Sequence, residues 1–200
     1  MPNDVTNHLL VEGDESEVTR FFEQAKGKNG ALDFNSFVPM PSTVFTGSLG
    51  QEDERKFPGE LNWYGWSNKH WGTKWNAYSI TVTPPLVQFD TAWSLPEPFL
   101  LEMSKKFPSL TFTDEWIEET LESAGILVVK NGEIEAFGHE SGSAWTEERS
   151  EYIHQLNLKH NGSDYISYLE GCIEIEGEDE KKVYSYYLNL AKESQTNVCI

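Results

Sequence analysis

Three features of the 200-residue sequence predict an α+β fold built on an antiparallel sheet. Apolar and polar residues alternate in short runs such as Tyr78-Ser79-Ile80-Thr81-Val82-Thr83, the period of a half-buried strand. Val18, Phe21, Phe22 and Ala25 recur instead at helical spacing. Several strand-like runs also lie close together in pairs separated by turn residues, the arrangement of hairpins rather than of parallel crossovers.

The elements follow in chain order. Residues 7–11 read as a first strand closed by Glu12-Gly13, and Asp14 then stands as an N-cap with Glu17 as its capping-box partner. Gly27 marks the end of that helix. Leu32, Phe34 and Phe37 form an apolar patch, and Pro39-Met40-Pro41-Ser42 leads into residues 43–60, expected to be an irregular, mobile surface loop. Residues 78–83 and 86–93 flank Pro84-Pro85 as a hairpin. Phe99, Leu100, Met103 and Phe107 give a second helix, with Pro98 near its first turn and Pro108 beyond its end. Leu110, Phe112 and Trp116 belong to a further strand, and residues 125–130 and 133–137 around Asn131-Gly132 carry the clearest hairpin signal.

Strand, helix, strand, strand, helix, strand is the order of a ferredoxin-like split βαβ sandwich, an antiparallel sheet with two helices on one face. The expected organisation is a ferredoxin-like domain over residues 1–138, with the inserted loop 43–60 and the hairpin at its C-terminal end. An acidic α/β extension over residues 139–200 is expected to pack on it, with helical character at 144–158 and 184–191.

Fifteen basic against 33 acidic residues give a net charge of −18. Residues 1–113 hold 14 acids and 9 bases, whereas residues 114–200 hold 19 acids and 6 bases, so the acidity is concentrated in the second part. Such a surface repels phosphate backbones and anionic membranes, which argues against duplex nucleic-acid binding and for a basic partner. No apolar run reaches the length of about 18 residues that spans a bilayer. The first residues lack a basic-then-apolar leader, so the expected location is the cytoplasm. Cys172 and Cys199 stand 27 positions apart without a CxxC partner, and neither a zinc site nor a disulfide framework is expected.

Four of the seven tryptophans, Trp63, Trp66, Trp71 and Trp75, fall within 13 residues, interleaved with Lys69, His70, Thr73 and Lys74. On a helical turn Trp71 and Trp75 would share one face with Lys74 beside them, the composition of a stacking platform or of a protein anchor. The competing reading is that these rings fill the core of a small sheet. The candidate binding residues are Trp71, Thr73, Lys74, Trp75 and Trp93. The candidate acidic partner surface is Glu174, Glu176, Glu178, Asp179 and Glu180. Neither metal ligands nor catalytic residues are assigned.

Asn62-Trp63-Tyr64, His70-Trp71-Gly72-Thr73-Lys74-Trp75-Asn76-Ala77, Phe89-Asp90-Thr91-Ala92-Trp93-Ser94 with Pro96 and Pro98, and residues 104–108 together resemble the YubB ferredoxin-like, or Api-like, family of plasmid and bacteriophage proteins. The resemblance spans residues 62 to about 115, more weakly from residue 5, and leaves out the C-terminal 60 residues. It implies the ferredoxin-like fold and a mobile-genetic-element setting. It implies no iron–sulfur cluster, for which two cysteines would not supply four ligands, and no cofactor is expected.

The sequence holds no GxGxxG, Walker A, HExxH or GxSxG motif. Glu118, Glu119 and Glu122, and Glu147, Glu148 and Glu151, read as solvated acidic faces, while His139 with Glu140, His154, His160, Ser141 and Ser143 lack a partner that would orient them for catalysis. The expected function is therefore that of a non-enzymatic interaction protein, an inhibitor whose acidic surface binds a basic host protein such as a nucleic-acid-handling defence complex. The alternative is single-stranded nucleic-acid or small-ligand binding through the tryptophan segment. An enzyme assembled from residues distant in sequence stays open.

Overall fold

A computed structural model describes residues 3–119 and 123–141 and, further along, residues 158–159, 166–167, 169–171, 185, 187–189 and 192. The chain divides into two compact units, Met1–Gly142 and Ser143–Ile200. In the second, the described residues are helical, Leu169 and Tyr187 are buried, and Lys192 pairs with Glu170 at 2.7 Å. Leu158, Ser185, Tyr187, Leu188 and Asn189 fall within the two stretches read as helical, and the rest of those stretches lie outside the described residues.

The first unit is a six-stranded sheet. Its elements are β1 (Asp4–Glu12), α1 (Glu15–Ala25), α2 (Gln51–Lys56), α3 (Trp63–His70), β2 (Tyr78–Thr83), β3 (Leu86–Ala92), α4 (Glu97–Lys105), β4 (Thr111–Glu118), β5 (Ser123–Lys130) and β6 (Glu133–Ser141). The strands lie in the order β2-β3-β1-β4-β5-β6 and every neighbouring pair is antiparallel. The order of β2, β3, β1 and β4 is that of the split βαβ sandwich, with the β5–β6 hairpin added at one edge. Asn131 (φ 50°) and Gly132 (φ 78°) turn that hairpin through the left-handed region, as an Asn-Gly pair does. A Cβ at Gly132 would also meet the Lys105 side chain at 2.5 Å, so that this exposed chain would have to swing aside. The Gly132 amide donates to Ser104 Oγ at 2.8 Å, fastening the turn to α4.

Register explains the core. Leu9 faces Val87, Val11 faces Phe112 and Phe112 faces Val129, so one face of the sheet presents an apolar band at alternate positions. On it pack Phe21, Phe22 and Ala25 of α1 and Phe99, Leu100 and Met103 of α4, the two expected helices on one face. Leu32, Phe34 and Phe37 fill the space between, with the Phe34 ring stacked on Phe99 at 3.8 Å and Phe37 stacked on Phe21 at 5.5 Å. Phe34 belongs to a short 3-10 turn, Phe34–Ser36.

Asp33, buried at the start of that turn, accepts hydrogen bonds from the Asn35 and Asn29 amides and from the Asn35 and Asn76 side chains. Asn76 Oδ1 in turn accepts from the Phe34 and Ala77 amides, so residues 29–35 are tied to the start of β2. Burial pushes the Asp33 carboxyl up, but the Asn76, Asn35 and Asn29 donors outweigh it and hold its pKa below the ordinary carboxylate value.

Three local expectations are corrected. Glu17 does not close a capping box: Asp14 caps Ser16, and Glu17 is taken by Arg20 one turn on in a two-point contact. Residues 43–60 are not wholly irregular, because they contain α2 and end in a 3-10 turn, Gly59–Leu61. Their polarity follows from α2 burying none of its residues, while Phe45 stacks on Phe57 at 4.4 Å and exchanges backbone hydrogen bonds with Leu61 and Trp63. The tryptophan segment is also helical only as far as His70, since α3 is capped by the Asn62 side chain and ends before Trp71.

One buried carboxylate lacks compensation. Asp114 of β4 is fully buried, and neither carboxylate oxygen has a hydrogen-bond partner among the described residues. Burial, reinforced by the Glu115 charge and only weakly opposed by the His8 backbone amide, which falls short of a well-formed hydrogen bond, pushes its pKa up to about 8.

Two stability measurements follow. Asp33→Asn keeps an acceptor for the Asn35 and Asn76 donors that meet Oδ1 but sets an N–H group against the Asn29 amide that meets Oδ2, and should cost about 1–3 kcal/mol in urea unfolding. The wild-type contribution of Asp33 is present above the ordinary carboxylate pKa and is lost as the pH falls through its lowered folded value. Asp114 carries the opposite sign: its contribution is full below an unfolded pKa of about 4 and is lost as the pH rises toward about 8. Asp114→Asn should therefore exceed the wild type in stability at pH 8, by several kcal/mol, and the difference should vanish near pH 4.

Candidate functional site

The five candidate binding residues separate into core and surface. Trp71 is 4% exposed; its ring meets Phe34 and Trp66 edge-on and its indole N–H donates to the Val38 carbonyl at 2.9 Å. It belongs to the core, as does Trp66. Trp75 is 39% exposed and Trp93 49%. Trp71 and Trp75 do not share a helix face, because Gly72 (φ 79°) reverses the chain between them. A Cβ at position 72 would meet the Pro98 ring at 2.4 Å, so no larger residue fits this turn without displacement.

Thr73 is fully buried and fixes the turn to the end of β3. Its hydroxyl donates to the Ala92 carbonyl at 2.9 Å and accepts from the Ala92 amide at 3.1 Å. Ser94 Oγ donates to the Gly72 carbonyl at 2.6 Å, and Ser67 Oγ of α3 donates to the Lys74 carbonyl at 2.8 Å. Held in this way, the Lys74 ammonium lies 4.5 Å from the Trp75 ring centroid and 4.6 Å from that of Trp93. The structure thus brings Lys74, Trp75 and Trp93 together as a cation between two exposed rings, and assigns Trp71 and Thr73 to the scaffold beneath.

Trp93 has φ 73°, a left-handed backbone that a bulky aromatic residue seldom adopts. Its amide donates to the Asn3 carbonyl at 2.9 Å, which keeps the end of β3 in place.

Tyr78 lies edge-on to Trp75 at 6.4 Å and donates its hydroxyl to Asp4 Oδ1. Burial first, then the Asp4 hydrogen bond and the Asp4, Asp90 and Glu119 charges, raise the Tyr78 pKa. Asp90 is itself raised, chiefly by burial, although Thr6 donates to it at 2.9 Å. These carboxylates were not legible as part of the site, because residues 4, 78 and 90 meet only through the register of β1, β2 and β3.

His70 has a structural role. Its ring stacks on Trp66 at 4.6 Å and its Nε2 lies 2.9 Å from Glu60 Oε2, while Lys69 pairs with the other oxygen of the same carboxylate. These two bonds lower the Glu60 pKa. Glu174, Glu176, Glu178, Asp179 and Glu180 lie outside the described residues, as do Glu122, Glu147, Glu148, Glu151, Ser143, His154, His160 and both cysteines. Among the described residues no group of three or more His, Cys, Asp or Glu side chains is arranged to hold a metal ion, and no helix is long and apolar enough to cross a membrane.

The sheet order and the two helices on one face define a ferredoxin-like α+β protein whose exposed feature is an aromatic pair around a lysine. Residues 70–157 match the family model described as the ferredoxin-like domain in Api92-like protein. No curated protein and no solved structure matches the chain. The match starts within the tryptophan segment and continues past residue 140 into the stretch that the motif resemblance had left uncovered. It includes β2, β3, α4, β4, β5 and β6 but not β1, the strand between β3 and β4.

Thr73→Val keeps the shape of the side chain and removes both hydrogen bonds to Ala92. It should lower stability by about 1–3 kcal/mol, and Thr73→Ser should recover most of the loss. A valine variant as stable as the wild type would show that the hydroxyl does not anchor the turn.

Proposed function

We propose that this chain is a non-enzymatic interaction protein of a mobile genetic element that binds a basic host protein, of which a nucleic-acid-handling defence complex is one kind. Its contact point in the first unit is Trp75, Lys74 and Trp93, and the acidic residues Glu174, Glu176, Glu178, Asp179 and Glu180 contribute attraction from the second. The observation that carries this reading is that Trp75 and Trp93, 39% and 49% exposed, are held rigidly against one lysine by a turn bonded into the core. Rigid exposed tryptophans are the residues on which interface energy concentrates, since they bury a large area at little cost in side-chain entropy. The net charge of −18 favours a basic partner and raises its encounter rate. The mobile-element setting rests on the motif resemblance.

Single-stranded nucleic acid is the second reading, supported by the pairing of exposed rings with a lysine. Charge weighs against it. Of the bases in residues 62–113, Lys69 is engaged by Glu60 and Lys105 by Glu102, which leaves a short cationic track for a phosphate backbone.

The test compares capture of basic proteins by the wild type, by a Trp75→Ala/Trp93→Ala double variant and by a variant with Glu176, Glu178 and Asp179 changed to lysine. The tryptophan variant should remain folded by circular dichroism and lose about tenfold or more of the affinity for the captured protein. Equal affinity for wild type and tryptophan variant would remove this contact point. Salt-sensitive fluorescence quenching by oligonucleotides would instead favour the second reading.

A further inference from the structure

The Lys74 ammonium is nearly equidistant from two tryptophan faces, at 4.5 and 4.6 Å. Tryptophan has the strongest cation-binding face of the natural side chains, so this is the geometry of a cation site. Lys74 is one of several basic residues without an ion pair among the described residues; what sets it apart is that its ammonium lies over two indole rings.

Three further observations point the same way. Trp93 holds its ring there on a left-handed backbone, a strain that core packing does not explain for a half-exposed side chain. Tyr78 extends the aromatic wall beside Trp75 and connects it to Asp4. Asp4, Asp90 and Glu119 act on Tyr78 as negative charges, so the field beside the rings favours a cation over an anion.

We propose that the slot between Trp75 and Trp93 is a cation site which Lys74 fills in the free protein and which an arginine side chain of the basic partner takes over on binding. The inference rests on the reading that these rings are the contact point, and adds the chemistry of what they receive. Guanidinium suits the exchange: it is planar, weakly hydrated and stacks on an indole, whereas the lysine ammonium is compact and strongly hydrated. A tethered lysine competes at a high effective concentration, so an isolated cation does not displace it easily. A basic protein surface drawn in by the surrounding acidity does, because it desolvates the rings as it docks. Lys74 thereby works as an internal guard that screens out weak cations.

The test uses the full chain and fluorescence anisotropy of a labelled arginine-rich peptide at fixed ionic strength, with an acidic peptide as the second probe. Lys74→Ala should bind the arginine peptide about fivefold more tightly than the wild type, the equivalent of a ~1 kcal/mol competing contact. Lys69→Ala removes the same charge outside the slot and should change the affinity less than about twofold. The gain from Lys74→Ala should disappear when Trp75 and Trp93 are also alanine. If Lys74→Ala gains no more than Lys69→Ala while the tryptophan double variant still loses affinity, the exchange is overturned and the contact point stands. If the double variant binds as well as the wild type, both are overturned. Binding of the acidic peptide that is lost in Lys74→Ala would make this an anion site and overturn the exchange.

Discussion

The position of the aromatic pair depends on a carboxylate out of sight beneath it. Asp33 gathers donors from Asn29, Asn35 and Asn76, and Asn76 returns an acceptor to Phe34, so the chain before the 3-10 turn and the chain before β2 are clamped together. Lys74 and Trp75 immediately precede Asn76. On their other side Thr73 is hydrogen-bonded to Ala92, next to Trp93. The slot therefore hangs between two buried anchor points, and an exposed pair of rings inherits the rigidity of the core. A buried charge is costly unless several donors meet it, and here they do. Asp114 shows the contrary case on the same side of the sheet: no comparable donors surround it, and the protein favours its neutral form.

The five candidate residues show why composition alone left the tryptophan segment ambiguous. Core filling and partner contact both use large aromatic side chains, and both apply here, separated by a single turn of the chain. Trp66 and Trp71 come before Gly72 and point inward. Trp75 comes after it and emerges beside Trp93, brought from 18 positions away by the β2–β3 hairpin. No periodicity marks such a change of direction, because it comes from one residue with positive φ.

The strands and the two packing helices were legible because each obeys its own period and is bounded by glycine, proline or an Asx cap. Helix α3 was not, since Trp63, Tyr64 and Trp66 spread apolar surface around it and leave no one-sided stripe; the Asn62 cap, whose side chain accepts from the Gly65 amide, was the available signal. Helix α2 escaped for the opposite reason, having no apolar residue to bury. Lys74, Trp75 and Trp93 were legible as candidates, but their convergence was not. Tyr78 and Asp90 meet in the β2–β3 hairpin, but Asp4 joins them only when β1 is inserted next to β3, a long-range pairing that local pattern does not encode.

That insertion bears on how the protein is made. About a hundred residues separate Glu12 from Thr111, yet β1 pairs with β4 along its whole length, and the family match begins only after β1 has gone by. During synthesis β1 must wait, with the backbone groups of both edges unpaired, until β3 and then β4 arrive on its two flanks. Conversely, a fragment cut to the matched residues would leave β3 and β4 with open edges where β1 belongs, a gap that a strand from another molecule is well shaped to fill.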